Sequence, residues 1–351
     1  MTSLKQKNFK KLLLDKALVL VLLLMITAII IIEPSFLQWR VLKDIFTQSS
    51  IKLICALGLM FPLLLGGTDL AGGRQVGLAA VIVASMTQTM TYASRFYPNL
   101  PDLPVIVPIL IALVVVAIIG FLNGFMIAKL RMAPFIATFG MSTIVYGINC
   151  LYFAQEPNRS QPIGGIKESL TMLSSTKIFG ISLLVYIAIV VAIIVWFVFN
   201  RTVYGKHLYV VGGNKDAAKV SGVNVAFIII SAFIIESILV GFAGILEVAR
   251  TGGANSAYGN AYEFDAISSC VVGGVSLSGG IGDVIVASVR KAQPGGTGTE
   301  SYMNIANVLL LAINNGTNPF RFPGAPEPQQ TGPATGYLYD MKSMGEVLTA
   351  V

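Results

Sequence analysis

Long runs of hydrophobic residues alternate with short polar segments along most of this chain. Several of the runs approach the roughly 20 residues that an α-helix needs to cross a bilayer. An all-α, polytopic helical membrane protein is therefore predicted, because a helix satisfies its backbone polar groups within one segment. Eight membrane helices are expected, over residues 17–33, 51–67, 76–90, 104–127, 134–153, 181–199, 226–248 and 267–289.

Composition agrees with this pattern. Of the 351 residues, 55% are hydrophobic and 12% are charged, and the mean hydropathy is +0.77. Soluble domains carry about a quarter charged residues, so an ordinary globular enzyme is excluded. A net charge of +7 would suggest nucleic-acid binding in a soluble chain, but membrane proteins concentrate Lys and Arg in their cytoplasmic loops.

The distribution of Lys and Arg predicts the orientation. The first apolar run ends at Glu33-Pro34 without a small-residue cleavage pattern, so we interpret it as a retained helix with a cytoplasmic amino terminus. The predicted inner segments then hold twelve Lys and Arg residues and the longer outer segments hold seven, as the positive-inside rule requires. These inner segments are 1–16, 68–75, 128–133 and 200–225.

After about Asp283 the chain becomes rich in Pro, Gly and Thr, and its one apolar run, "IANVLLLAI", is too short to span a membrane. Such composition is typical of a loop or a disordered tail. The sequence therefore predicts a transmembrane domain over 1–289 and an atypical tail over 290–351.

The stretch "GGTDLAGGRQVG" interrupts two apolar runs with Thr68, Asp69, Arg74 and Gln75. Each interior Gly costs a helix about 1 kcal/mol relative to Ala, so we expect the helix to break here. Broken helices survive in membranes where they are buried in protein or line a cavity, and there they bring polar groups to a path. The alternative is a short inner turn in which Asp69 and Arg74 neutralise each other or are solvated.

Small and polar residues also occur inside the fourth and fifth predicted helices. Asn123 and Asn149 either bind a polar solute or form hydrogen bonds between helices. Four glycines allow neighbouring helices to approach closely, and they are Gly120, Gly124, Gly140 and Gly147.

The segment "NKDAAKVSG" in the last inner loop predicts a short helix that begins after Asn214 as the cap and ends at Gly222. Such an element on the cytoplasmic side either docks onto a soluble partner or is a solvated loop whose basic residues fix the topology.

Glu236 lies near the middle of the seventh predicted helix, where a carboxylate is a functional candidate by default. It either relays protons or is tolerated because it is protonated or paired across a subunit interface. A polar and aromatic cluster follows that helix at the predicted outer mouth, where its composition suits either sugar hydroxyls or an interfacial aromatic belt. The cluster consists of Tyr258, Asn260, Tyr262, Glu263 and Asp265.

The sequence does not support a metal site, a redox site, a histidine-based catalytic site or a nucleotide-binding site. Cys55, Cys150 and Cys270 have no metal-ligand or redox spacing, and His207 is the only histidine, so neither a metal site nor a histidine-based catalytic triad is expected. The glycines of "VVGGVSLSGGIG" do not fit a dinucleotide-binding fingerprint, and no phosphate-binding loop occurs. No cofactor is expected, and any ATP is bound by another chain.

Four motifs, in order "GGTDLAGGRQVGLAAV", "NGFMIAKLRMAPFIATFG", "GGNKDAAKVSGVNV" and "CVVGGVSLSGGIG", resemble the permease subunits of bacterial ABC monosaccharide importers of the ribose and galactose class. The first motif is similar to the form typical of the galactose/methyl-galactoside subgroup. The resemblance covers roughly residues 1–285.

The resemblance implies a homodimeric pore in the bacterial inner membrane, which moves a monosaccharide inward by alternating access and performs no covalent chemistry. It also implies an ABC ATPase on the cytoplasmic face and a periplasmic sugar-binding protein. Asp69 and Arg74 would then hold a broken, gating segment, with Thr68 and Gln75 near the path. The ATPase would contact the coupling loop at Gly213, Asn214, Ala217, Ala218 and Gly222.

Two features depart from the family pattern. Glu236 stands where the family usually has a small or uncharged residue, and the tail replaces two further hydrophobic helices. A frameshifted carboxyl end is a hypothesis for the second departure. Two other functions stay open on the residues alone, namely a proton-coupled carrier and an intramembrane enzyme that uses Glu236 or Asp69 as its acid or base.

Overall fold

The computed structural model describes residues 24, 27, 29–280, 284, 285, 311 and 312, and most of them are helical. The predicted first helix and the predicted tail lie almost wholly outside this part of the chain. The helices are α1 Trp39–Leu64, α2 Gly72–Met86, α3 Ile106–Ala128, α4 Pro134–Phe153, α5 Glu168–Ser175, α6 Leu183–Arg201, α7 Val203–Gly213, α8 Lys215–Val220, α9 Val225–Thr251 and α10 Tyr262–Val272.

The remaining elements are short. A 3₁₀ helix over Pro34–Leu37 precedes α1. Four strands of two residues each form two antiparallel pairs. β1 Lys177–Ile178 pairs with β2 Ile181–Ser182, and β3 Val284–Ile285 pairs with β4 Leu311–Ala312.

Among the described residues, five helices are long and apolar enough to cross a membrane, namely α1, α3, α4, α6 and α9. The sequence predicted the bounds of the last four within three residues. A polytopic helical membrane protein is thus confirmed, whereas the expected number of eight spanning helices is not.

The first two described helices begin earlier than the sequence predicted. α1 begins at Trp39, well before the predicted residue 51, because its first turns are amphipathic and carry Arg40 and Asp44. α2 begins at Gly72, four residues before the predicted start, so the glycines of the first motif belong partly to the helix.

The predicted span over 267–289 is wrong. α10 ends at Val272, and Gly274 follows with φ +97°. A hydropathy average does not register that such a glycine ends the helix.

α9 is the central helix and packs against α1, α2 and α3. The contact with α3 is close, because a Cβ atom at Gly120 would lie 2.5 Å from the Phe233 carbonyl oxygen and one at Gly124 would lie 2.7 Å from the Ile230 Cα. Glycine is therefore required at both positions, as predicted for helices that pack without a hydrophobic drive.

Candidate functional site

The chain is not helical between α1 and α2, over residues 65–71. Gly66 allows the turn that ends α1, because it adopts φ +69° and a Cβ atom there would lie 3.0 Å from the Ser278 carbonyl oxygen. The amide of Gly67 donates to the Pro62 carbonyl at 2.9 Å. The predicted break in the first glycine motif is therefore present, and we call residues 65–71 the break segment.

Asp69 lies at the end of the break segment and is fully buried. Its Oδ1 accepts a hydrogen bond from the Ala71 amide at 2.6 Å, and its Oδ2 accepts one from Asn123 Nδ2 at 3.4 Å. A carboxylate is favoured at this place because the amino-terminal end of a helix carries partial positive charge. Of the two alternatives for Asn123, the hydrogen bond between segments of the same chain is the one observed.

Thr138 of α4 attaches the break segment to a third helix. Its Oγ1 donates to the Thr68 carbonyl and accepts from the Leu70 amide, each at 3.1 Å. Thr68 therefore contributes its backbone to the site.

Glu236 of α9 reaches the same point and is also fully buried. Its carboxyl group lies within hydrogen-bonding distance of the Asp69 carboxyl, and Ser237 Oγ donates to its Oε2 at 3.2 Å. A Cβ atom at Gly72 would lie 2.9 Å from Glu236 Oε1, so this glycine makes room for the carboxyl.

Arg74 does not neutralise Asp69, which was one of the alternatives, because the two residues form no ion pair in the described structure. Arg74 lies in the first turns of α2, which direct it to α4, where its guanidinium carbon is 4.4 Å from the centre of the Tyr146 ring. The Arg74 guanidinium is therefore held at an aromatic ring and not at the Asp69 carboxyl.

Three further polar side chains are buried beside α2 with atoms that have no hydrogen-bond partner in the described part of the chain. Both amide atoms of Gln75 lack one, as do Asn149 Oδ1 and Glu263 Oε2. Asn149 Nδ2 donates to the Ser256 carbonyl at 3.4 Å. Burial raises the pKa of the Glu263 carboxyl above its ordinary value, and the nearby Arg74 opposes that shift.

The five residues predicted at the outer mouth do not all have the same surroundings. Glu263 and the Tyr258 carbonyl face the first two turns of α2, where they touch the sites of Gly73 and Gly77. Asn260 and Asp265 are exposed, and Tyr262 is half-buried. Lys52 Nζ lies 2.6 Å from Asp265 Oδ2 and 5.6 Å from the centre of the Tyr262 ring.

The family described as "Branched-chain amino acid transport system / permease component" matches residues 41–312. This chain belongs to that family of membrane permeases. The match ends inside the predicted tail, and the predicted domain boundary between 289 and 290 stays a prediction.

Curated relatives of this permease are sugar import proteins. The galactose/methyl galactoside import permease of Escherichia coli K12 is 40% identical over 81% of this chain and 85% of its own length. The corresponding protein of Haemophilus influenzae is 43% identical over 80% and 84%. The ribose import permease of Haemophilus influenzae is 29% identical over 87% and 94%. No solved structure matches.

The family and these relatives are named as transport permeases, so this chain is a transport permease and not an enzyme. An intramembrane enzyme that uses Asp69 or Glu236 is therefore no longer a candidate. The buried carboxyls require an explanation within a permease.

The predicted short helix is present in the permease as α8. Asn214 Oδ1 accepts from the amides of Asp216 and Ala217 at 2.9 Å each, which caps the helix as its sequence predicts. Ala218 is buried against the protein, Val220 is 90% exposed, and the turn ends at Gly222 with φ +82°. Gly213, Asn214, Ala217 and Gly222 are exposed together.

α7 connects the permease's short helix to the break segment. A Cβ atom at Gly212 of α7 would collide with the Leu64 carbonyl oxygen. The same oxygen accepts a hydrogen bond from the Gly280 amide at 2.8 Å. Both contacts are made at the last residue of α1, directly before the break segment begins. α8, α7 and the break segment are therefore in continuous contact through backbone atoms.

The sequence analysis missed three residues that the site of the permease uses, namely Thr138, Ser237 and Tyr146. A signal existed for the first: Thr138 and Asn149 are eleven residues apart, which places them on the same face of α4. Ser237 directly follows Glu236 in an otherwise apolar stretch. Tyr146 carried no signal, because its importance depends on where α2 directs Arg74.

Proposed function

We propose that this permease carries galactose or methyl galactoside into the cytoplasm as the membrane-spanning subunit of an ABC importer. The sugar is supported by the identities of 40% and 43% to permeases that carry this name, which exceed the 29% identity to a ribose permease. Ribose, xylose and nucleosides are the competing substrates that an experiment must test.

The observation that carries the transport mechanism is the backbone contact between Gly212 and Leu64. A displacement of α8 by a cytoplasmic partner passes through α7 to the end of α1, because no flexible side chain lies between them. The break segment would then move relative to α9, to which the contact between Asp69 and Glu236 attaches it. Alternating access in this proposal is a movement of the break segment.

The proposal includes three partners and one orientation. An ABC ATPase, which binds the ATP, docks at the exposed face of α8, and Val220 supplies an apolar contact there. A periplasmic binding protein delivers the sugar, and a second copy of the chain completes the pore in the bacterial inner membrane. The amino terminus is cytoplasmic, as the Lys and Arg distribution predicts.

The side chains proposed for the path or its gate are those around the break segment and α2. Asp69 and Asn123 position the break segment, while Gln75 and Asn149 supply unpaired amide atoms to the interior. Thr68 contributes its carbonyl group and Arg74 contributes a cation on the α4 side.

A proton-coupled carrier is the second candidate, and the contact between the Asp69 and Glu236 carboxyls favours it. Buried Asp and Glu side chains are a common feature of proton relays in membrane transporters. In this alternative the proton gradient, and not a partner's ATP hydrolysis, would drive uptake.

One experiment tests both candidates. The full chain is reconstituted in liposomes with its ATPase and binding protein, and uptake of radiolabelled galactose is measured with ATP, without ATP, and with an imposed pH gradient alone. We expect uptake that requires ATP and that unlabelled methyl galactoside suppresses, while ribose does not. Uptake driven by the pH gradient without the ATPase would overturn the proposal in favour of the carrier, and competition by ribose alone would overturn the choice of sugar.

A further inference from the structure

A cavity of about 500 Å³ lies where the first turns of α1 meet the hairpin of β1 and β2, and we call it the α1 cavity. Three cations and one carboxylate line it, namely Arg40, Lys43, Lys177 and Asp44. Among the described residues none of these four side chains forms an ion pair. The α1 cavity therefore has an excess of positive charge that the described part of the chain does not neutralise.

Lys43 is the least exposed of the three cations. Its Nζ lies 5.6 Å from the centre of the Trp39 ring, and a Cβ atom at Gly180 would lie 3.2 Å from the same Nζ. Lys43 is half-buried, whereas Arg40 and Lys177 are exposed. The Lys43 ammonium group is therefore between α1 and the hairpin, and the other two cations are closer to solvent.

The position of the α1 cavity along α6 indicates its depth in a membrane. α6 has 19 residues and, at about 1.5 Å per residue, is roughly 28 Å long, which matches a hydrocarbon core of about 30 Å. Ser182 caps the amino-terminal end of α6 and also lines the cavity. Because the cap is at the end of the span, the α1 cavity lies at the level of the lipid headgroups.

The tip of the hairpin presents an aromatic side chain outward. Phe179 adopts φ +50°, a left-handed conformation that is unfavourable for a bulky residue, and it is 96% exposed. Trp39, on the α1 side of the cavity, is 61% exposed. Aromatic residues concentrate at the interface between membrane and water. The placement of Phe179 is therefore explained if its ring enters the bilayer.

These observations define the ligand. Lys and Arg form charge-assisted hydrogen bonds with phosphate oxygens, and basic residues near a membrane surface attract anionic lipids. A soluble anion would use the three cations but not the exposed aromatic rings. A ligand with both a phosphate group and acyl chains uses all of these groups.

We propose that the α1 cavity binds the headgroup of an anionic phospholipid. Lys43, Arg40 and Lys177 contact the phosphate, while Trp39 and Phe179 lie beside the acyl chains. Because the cavity is formed jointly by α1 and the hairpin, a bound lipid holds the two together. The site goes beyond the proposed function and is independent of which solute the permease carries.

The first test measures which lipid lies next to Trp39. The chain has two tryptophans, so Trp196→Phe leaves Trp39 as the only one. The full chain is reconstituted in mixed bilayers in which either phosphatidylglycerol or phosphatidylcholine carries brominated acyl chains, and quenching of the Trp39 fluorescence is compared. We expect phosphatidylglycerol to bind there at least about fivefold more strongly at low salt, because each nearby Lys or Arg contributes about this factor.

Removal of charge locates this preference. Lys43→Gln combined with Lys177→Gln should reduce it to about one, since Asp44 then offsets the remaining Arg40. Lys215→Gln combined with Lys219→Gln is the matched control, because it removes the same charge from exposed positions of α8, and it should keep the preference. Size-exclusion chromatography checks that both double variants are folded.

Four outcomes would overturn the inference. Equal quenching by the two brominated lipids would show that the α1 cavity does not select charge, and no quenching by either would show that protein covers it. An unchanged preference in the double variant of Lys43 and Lys177 would place the lipid elsewhere. Loss of the preference with inorganic phosphate, but not with chloride at the same ionic strength, would indicate a site for a soluble anion.

The second test concerns the tip of the hairpin. Phe179→Asn suits the left-handed backbone and removes the apolar contact, so this variant should fold without lipid at least as well as the wild type. Phosphatidylglycerol should raise the melting temperature of the wild type in detergent, because a ligand that binds the folded state stabilises it. We expect a clearly smaller rise for Phe179→Asn and a retained rise for Phe179→Trp. An equal rise for Phe179→Asn would contradict the contact with acyl chains.

Discussion

Two pairs of glycines in neighbouring helices have opposite environments. Gly120 and Gly124 of α3 lie against the backbone of α9, whereas Gly140 and Gly147 of α4 face open space. Both pairs look alike in the sequence, as small residues in an apolar helix. The comparison shows that such glycines permit a close approach without requiring one: α9 approaches the first pair, and no described residue approaches the second.

The charged groups also divide into a set that faces α9 and a group that faces α4. Asp69 and Glu236 are buried at the junction of the break segment with α9, whereas Arg74 lies on the α4 side and is partly exposed. Ser237 donates a hydrogen bond to Glu236 and Asn123 donates one to Asp69, so the buried pair is held by groups of its own chain. Side chains that stabilise the fold and side chains available to a substrate are thus separated by the direction in which α2 points them.

The largest effect should come from a larger side chain at Gly120 or Gly124, the two glycines that lie against α9. Gly120→Val would force a side chain into the Phe233 carbonyl, and overpacking of this kind costs about 1–3 kcal/mol or more. We expect a marked loss of folded protein and a lower melting temperature by fluorescence-detected size-exclusion chromatography. Gly140→Val is the matched control, and its folding should be nearly unchanged. Equal destabilisation of the two variants would remove the distinction between the faces.

A smaller effect is expected at the buried carboxyls. Glu236→Gln keeps the shape and can donate a hydrogen bond to Asp69, so ATP-driven uptake should stay within about threefold of the wild type, since one ordinary hydrogen bond contributes about 0.5–1.5 kcal/mol. Glu236→Leu removes the partner of both Asp69 and Ser237, and we expect it to be less stable, by about 1–3 kcal/mol.

Both variants are compared for uptake and for melting temperature in the same detergent. If Glu236→Gln folds normally but no longer transports, the carboxyl carries out proton chemistry and the carrier alternative gains support. If Glu236→Leu is as stable as the wild type, the buried pair does not attach the break segment to α9.

The smallest effect should be found at α8, which contains neither of the two glycine pairs. Asn214→Ala removes the cap of this helix, which typically costs about 1 kcal/mol, while Asn214→Asp preserves an acceptor. We expect the alanine variant to lower sugar-stimulated ATPase activity of the importer about threefold, and the aspartate variant to retain most of it. A loss in both variants would indicate that the Asn214 side chain contacts the ATPase directly.

The sequence predicted the parts of this fold that depend on local properties. Apolar length alone defines α3, α4, α6 and α9, and a cap residue with a terminal glycine defines α8. The prediction from the sequence failed at α10, because the glycines after Val272 end a helix inside an apolar stretch. Hydropathy measures how apolar a segment is, and it does not record where the backbone turns.

The candidate site was predicted only as separate residues. Asp69, Asn123 and Glu236 were each selected as polar groups in apolar surroundings, but their contact depends on how α3 and α9 pack around the break segment. Pairing across a subunit interface was one alternative for Glu236, and its partner instead lies in the same chain. Such pairs require tertiary structure, since residues distant in the sequence are brought together only by packing.

The lengths of the helices have a consequence for the lipid. α9 has 27 residues and, at about 1.5 Å per residue, is roughly 40 Å long, whereas the hydrocarbon core is about 30 Å thick. α2 has 15 residues and, by the same rise, is only about 22 Å long. Because α9 is held by α1, α2 and α3, its tilt is set by protein contacts. The ends of α9 therefore extend beyond the hydrocarbon core of an average bilayer, and acyl-chain length becomes a determinant of how well the protein is accommodated.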